Sequence, residues 1–297
     1  MPPWIPRYHL FEIDDQPWFP SFLRGYVQSG LTHLWTTCLP LLQRCSPATL
    51  VASILQRELK KAVSSYTYID FCAGAGGPTP QIEKSLNWDL SSQSSSSSPD
   101  GVKFVLTDLH PHVESWKQAA SKSAHLTYVP MPVDAAAAPP DLIEKNKADG
   151  KGVFRLFNLA FHHFQDDLAR AMLKNTVETS DGFGIFELQS RTFSSFVSCS
   201  LFGVFIFLIA PFLYWWSPQV LFFIYIVPVV PFVLVFDGLV SSLRTRTADE
   251  VELLLRTCGA ADTSDWVVRS GSETFLWPSG HLTWVIGIKQ SHLNTSS

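Results

Sequence analysis

The chain has 297 residues, with 22 basic and 26 acidic side chains, a net charge of −4 and a pI near 6.1. Its length and 46% hydrophobic content allow a sizeable core and exclude a disordered chain, while the slight acidity excludes a nucleic-acid binder that works through a basic surface. The charge is uneven: residues 192–236 form a run of 45 with no Asp, Glu, Lys, Arg or His, which predicts a globular domain with one membrane-seeking insertion rather than a many-span transporter.

In chain order, residues 1–25 read as an irregular arm rich in aromatics and proline. Residues 26–62 carry helical patterning that ends with Lys60 and Lys61. A strand follows at 66–71, a glycine-rich turn at 72–77 and a helix at 78–86. Residues 91–98 are seven serines and one glutamine, and read as a disordered surface loop. Strand and helix then alternate: strand 102–106, helix 112–122, strand 126–129, an Ala/Pro linker after Asp134, strand 153–159, helix 165–178 and strand 183–188. Beyond the uncharged run, Thr247 and Glu250 form a capping-box signature for a helix that stops at Gly259. Strands at 266–269 and 282–289 close the chain. This alternation predicts an open α/β sheet. The divisions expected are 1–62, 63–191, 192–240 and 241–297. Five scattered cysteines without a CxxC pair read as reduced and intracellular, and no metal site is expected. The first thirty residues lack a secretory leader pattern, and the sequon at Asn294 is a weak signal.

The informative stretch is Tyr68-Ile69-Asp70-Phe71-Cys72-Ala73-Gly74-Ala75-Gly76-Gly77, placed between a strand and a helix. Glycines there permit a tight turn and close approach of backbone N–H groups to a ligand. Asp108 ends the next strand, 32 residues after Gly76. Without the serine-rich insertion, this nears the roughly 20 residues expected of a ribose-binding acid. A nicotinamide-binding dehydrogenase would prefer a third glycine where Thr79 stands, and no Tyr-x-x-x-Lys pair follows.

With these residues the chain resembles the class I S-adenosylmethionine-dependent methyltransferases over roughly residues 60–290, as a separate branch of that superfamily. The resemblance implies a Rossmann-like, seven-stranded α/β sheet. Here a two-helix transmembrane hairpin would be inserted after the fifth strand. It makes Asp70 the acid of the first strand, and Gly74 and Gly76 the second and third glycines of the turn; Cys72 stands where the first glycine is usual. It makes Asp108 the ribose acid and Asp134 a polar residue near the adenine. It likens Asn158-Leu159-Ala160-Phe161-His162-His163-Phe164 to the fourth-strand segment of small-molecule methyltransferases. The cofactor implied is S-adenosyl-L-methionine, with Asp70, Gly74, Gly76, Asp108, Asp134 and Asn158 as its binding residues.

His162 and His163 would lie beside the transferred methyl, either as a base or as residues that shape the pocket and cap the next helix. Glu187, at the end of the fifth strand, either orients substrate or pairs with Arg191. The uncharged run holds about two spans of 20 residues, at 195–216 and 220–236, with prolines 228 and 231 kinking the second. A buried core helix pair is the competing reading. Strands on both sides of the run must join one sheet, so both flanks lie on one side of a bilayer. Arg191, Arg244 and Arg246 place that side in the cytosol. The expected function is membrane-bound methylation of a small hydrophobic or lipid-like molecule, with the bilayer and no nucleic acid as partner. A plain anchor, or a non-catalytic membrane protein that retains the fold, is the alternative.

Overall fold

A computed structural model describes residues 3, 5–93, 101–147 and 150–291. Of the loop expected at 91–98, residues 94–98 lie outside the described residues, as does Asn294, and residues 91–93 are instead the last residues of a helix.

The elements are α1 (Ser21–Thr36), α2 (Pro47–Leu59), a 3-10 turn (Lys60–Ser65), β1 (Tyr66–Phe71), α3 (Thr79–Gln93), β2 (Phe104–Thr107), α4 (Val113–Ala120), β3 (Leu126–Tyr128), α5 (Pro140–Asn146), β4 (Gly152–Asn158), a 3-10 turn (Phe161–His163), α6 (Asp166–Thr179), β5 (Gly182–Glu187), α7 (Phe193–Leu213), α8 (Pro218–Tyr225), α9 (Val229–Arg244), α10 (Ala248–Arg256), β6 (Trp266–Leu276) and β7 (Gly280–Lys289). The seven strands form one sheet in the order β3-β2-β1-β4-β5-β7-β6, parallel except for β7, which runs antiparallel to both its neighbours.

β1, β2, β4 and β5 are buried at every position. Helices therefore cover both faces, which is why these strands read as continuous apolar runs rather than alternating ones. One face packs on α2, α3 and Trp116 of α4, the other on α5, α6 and α10. Thr247 caps α10 in a full capping box with Glu250, as its sequence predicts. The helical stretch expected at 26–62 is two helices and a 3-10 turn, broken where Pro40 and Pro47 interrupt it, and α1 already begins inside the expected arm.

α1, α7, α8 and α9 build a third apolar cluster beside the sheet. α7 is one helix long and apolar enough to cross a membrane, and only 17% of its most apolar window is buried. α7 thus leaves most of its apolar surface open, whereas α9 buries Val230, Val233, Leu234 and Val240. The expected second span is not one helix: α8 and α9 meet at a bend of 64°. Pro228 lacks an N–H for the helix ladder and biases Val227 away from helical backbone, so the ladder breaks there. A straight two-span hairpin is therefore not what the chain forms.

Candidate cofactor and acceptor site

β1 and β4 are neighbours at the centre of the sheet, with β2 and β3 on one side and β5, β7 and β6 on the other. Open α/β sheets bind ligands at the carboxyl edge of such a switch point. The chain places Asp70, Gly74, Gly76, Asp108, Asp134 and Asn158 within or just after the carboxyl ends of β1, β2, β3 and β4.

Asp70 is buried in β1, and its Oδ2 accepts the hydroxyl of Thr79, the first residue of α3, at 2.5 Å. The Asn158 amide donates to the same hydroxyl at 3.1 Å. Thr79 thus joins the ends of the two central strands. Asp70 Oδ1 and Asn158 Oδ1 are buried and have no hydrogen-bond partner among the described residues. Burial pushes the Asp70 carboxyl up to about 7, with Asp108 adding to the rise, although Thr79 and Asn158 favour the charged form.

In the turn, Gly74, Gly76 and Gly77 all have positive φ, and so does Cys72, at 68°. Cys72 therefore holds the backbone a glycine would take, at a strain of about 1–2 kcal/mol. Asp108 secures the turn: its Oδ2 accepts the Gly74 N–H at 2.8 Å and its Oδ1 the His110 N–H at 2.8 Å. Trp116 Nε1 donates to the Gly74 carbonyl at 2.8 Å. Leu159, directly after Asn158, is also left-handed at φ 53°. Asp134 is exposed, and its Oδ1 accepts the Ala136 N–H at 2.8 Å in its own turn.

The histidines have different partners. His162 is buried, with Nδ1 2.8 Å from Glu187 Oε2 and its backbone N–H donating to Glu187 Oε1 at 3.2 Å. Glu187 does not pair with Arg191, which bonds Glu250 instead; the sequence alternative of a Glu187–Arg191 ion pair is corrected accordingly. His163 Nδ1 lies 3.2 Å from Asp15 Oδ2, and Arg244 bridges Glu12 at 3.0 Å and Asp15 at 3.2 Å. Asp237 accepts the N–H groups of Ile13 and Asp14 at 2.7 and 2.9 Å.

Glu12, Arg244 and Asp237 are absent from the sequence-derived set. Their signals were three acids crowded into an aromatic arm and the first charge after the 45-residue run. Glu12, His162 and His163 offer ligand atoms within 4.8 Å of one another, a grouping able to hold a metal, which the sequence did not suggest. The Arg244 guanidinium already supplies positive charge there.

Three cavities open at or next to these residues. One, of about 140 Å³, is lined by Leu159, His162, His163, Gln189 and the arm acids. A second, of about 250 Å³, runs between α1 and α7–α9, and the two share Leu34, Ser198, Phe202, Leu234 and Leu276. A polar cavity of about 800 Å³, lined by Glu187, Arg191 and His281, shares His162 with the first.

No family model matches the chain, and no curated protein matches it. Solved structures do. A Galdieria sulphuraria protein named as a sarcosine dimethylglycine methyltransferase is 11% identical, covers 91% of this chain and 98% of its own, and has a TM-score of 0.45. The N-methyltransferase NodS from Bradyrhizobium japonicum WM9, in complex with S-adenosyl-L-homocysteine, is 8% identical over 89% and 98%, at 0.44. A Rhodobacter sphaeroides protein named for the zinc-dependent alcohol dehydrogenases is 14% identical over 89% and 98%, at 0.43. At this level of likeness no function passes from them to this chain, and the reading of the site rests on its own residues.

Proposed function

We propose that the chain is a membrane-bound S-adenosylmethionine-dependent methyltransferase acting on a small hydrophobic molecule. The observation that carries this is the pair of buried, unpartnered acceptors, Asp70 Oδ1 and Asn158 Oδ1, at the switch point beside a glycine turn tied to Asp108. Buried acceptors without donors are costly, and a ligand ammonium group satisfies both. Asp108 keeps a lone pair on each oxygen for ribose hydroxyls beyond the one each gives to a backbone N–H. Asp134, exposed in the turn six residues beyond β3, has one oxygen without a hydrogen-bond partner among the described residues to meet a base edge. When bound, the cofactor supplies a methyl group on a sulfonium, which needs alignment and dry surroundings more than covalent help. Glu187 fixes the His162 ring, so Nε2 is its proton-accepting nitrogen when Nδ1 donates to the carboxylate.

Membrane attachment is supported by the exposed apolar side chains of the inserted helices, among them Leu208, Phe212, Trp215, Trp216, Phe222 and Phe232. α7 enters the bilayer and the bent α8–α9 pair returns the chain to the same side, because β6 and β7 must rejoin β5. The flanking arginines carry less of the orientation than their positions in sequence suggest. Arg191, Arg244 and Arg246 are all buried and paired with Glu250, Glu12 and Asp166. The cytosolic side follows instead from access to a soluble cofactor.

Turnover is tested by incubating the purified full-length protein with methyl-labelled S-adenosylmethionine and a membrane lipid extract. Label in the organic phase is expected. Cofactor binding without any label transfer would favour the non-catalytic reading.

A further inference from the structure

From the residues that line the acceptor cavity, we infer that the methyl acceptor is an amphiphilic amine: an amino head beside His162 and an apolar body between α1 and α7–α9. This rests on the methyltransferase reading and names the substrate class of that site.

The polar end of the 140 Å³ cavity is acidic, with Glu12, Asp14, Asp15 and Asp237 among its lining. Three of these acids are committed. Glu12 holds Arg244 and the Ser241 hydroxyl, Asp15 holds His163 and Arg244, and Asp237 holds the arm's backbone. Two oxygens have no hydrogen-bond partner among the described residues: Asp14 Oδ1, which has Arg24 at 3.8 Å, and Gln189 Oε1. Gln189 is only 8% exposed and lines the same cavity. A buried carboxylate and a buried amide oxygen left without donors call for a ligand that donates, and with Arg244 and His163 set against Glu12 and Asp15, the acids left over, Asp14 and Asp237, favour one that carries positive charge. Burial and the neighbouring acids also push the Asp14 carboxyl up to about 7, against the pull of Arg24, as expected of a group whose counter-ion is the ligand. The apolar body fits the 250 Å³ cavity, which joins through Leu34, Ser198, Phe202, Leu234 and Leu276 and is walled by the helices that face the bilayer.

The chemistry balances. The bound ammonium first gives one proton to His162 Nε2. The freed lone pair forms the C–N bond as the S–C bond breaks, the sulfonium becomes a thioether, and the methylated product keeps its remaining protons as an ammonium.

The test is calorimetric titration of full-length protein in nanodiscs with octylamine, octanol, octanoate and ethanolamine, with S-adenosyl-L-homocysteine titrated in parallel. Octylamine is expected to bind at least about tenfold tighter than the other three. Asp14→Asn and Gln189→Leu are each expected to weaken octylamine by about tenfold while leaving S-adenosyl-L-homocysteine affinity unchanged. Equal or tighter binding of octanol or octanoate overturns the amine head, and equal binding of ethanolamine overturns the apolar body. Either result leaves the methyltransferase reading standing as long as S-adenosyl-L-homocysteine binds. Loss of that binding alone removes the methyltransferase reading, and octylamine then reports on the cavity by itself.

Discussion

At the scale of single residues, the crevice keeps groups in states that folding alone would not choose. Burial raises the Asp70 carboxyl from 3.8 to about 7. A group whose native pKa is raised stabilises below its unfolded value, and that contribution is lost as pH climbs to the native one. The unliganded protein therefore loses stability through Asp70 between pH 3.8 and about 7. Asp70→Asn is expected to raise the melting temperature at pH 8. It should also weaken cofactor binding at least about tenfold, because charge-assisted hydrogen bonds contribute roughly 1.5–3 kcal/mol. Thermal melts and calorimetry on the same preparation check both halves, and an unchanged affinity would contradict the placement of the ligand. His163 and Asp15 work the other way. Burial opposes charge on His163, but the hydrogen bond to Asp15 and the charges of Glu12, Asp15 and Glu187 outweigh it and raise its pKa above 6.5. Burial opposes charge on Asp15 too, yet His163 and Arg244 hold it down to about 2. Both therefore stabilise the docked arm fully between pH 3.8 and 6.5. Below 3.8 the Asp15 contribution fades toward about 2, and above 6.5 that of His163 fades through its raised value. The melting temperature of the wild type is expected to fall more steeply from pH 6.5 to 8 than that of His163→Gln, and parallel slopes would contradict the pair. The positions proposed for the cofactor were legible because they stand at strand ends or in the turns that follow them. Glu12, Asp237 and Arg244 were not, because their meeting spans more than 220 residues and no local pattern announces it.

At the scale of elements, the strands were legible because buried parallel strands are short, apolar and bounded by turn residues. β6 and β7 were read short, since Ser270, Gly271 and Ser272 do not look like strand and are carried by the ladder to β7. α5 lay inside a stretch read as linker, where consecutive alanines and prolines hid a helix that starts at Pro140. The uncharged run was plain in sequence, but its break into α8 and α9 depends on packing as well as on Pro228. The two legs meet closely at Gly203, where an added Cβ would come within 2.6 Å of Val235 Cγ2. Gly203→Val is expected to force α7 from α9 and destabilise the protein by about 1–3 kcal/mol, the range for overpacking. Melting in detergent measures it, and a variant as stable as the wild type would show that the legs do not pack this way.

At the scale of the whole molecule, one sheet takes strands from both sides of the inserted helices, so the helices must leave and return on the same side. Replacing residues 195–236 with a flexible linker is expected to release the protein from carbonate-washed membranes. Asp70, Gly74, Asp108 and Asn158 all precede the insertion, so the released protein should still bind cofactor. Retention on the membrane would contradict the anchoring role of the insertion. The central claim is that the β1–β4 crevice binds S-adenosylmethionine through Asp70, Asn158 and Asp108. Calorimetric titration of the full-length protein with S-adenosyl-L-homocysteine, beside Asp108→Ala, tests it most directly. The account predicts one site per chain in the wild type and at least about tenfold weaker binding in a folded Asp108→Ala, from the loss of charge-assisted hydrogen bonds. A folded wild type that binds no S-adenosyl-L-homocysteine, or an Asp108→Ala variant that binds it as tightly, would contradict the account.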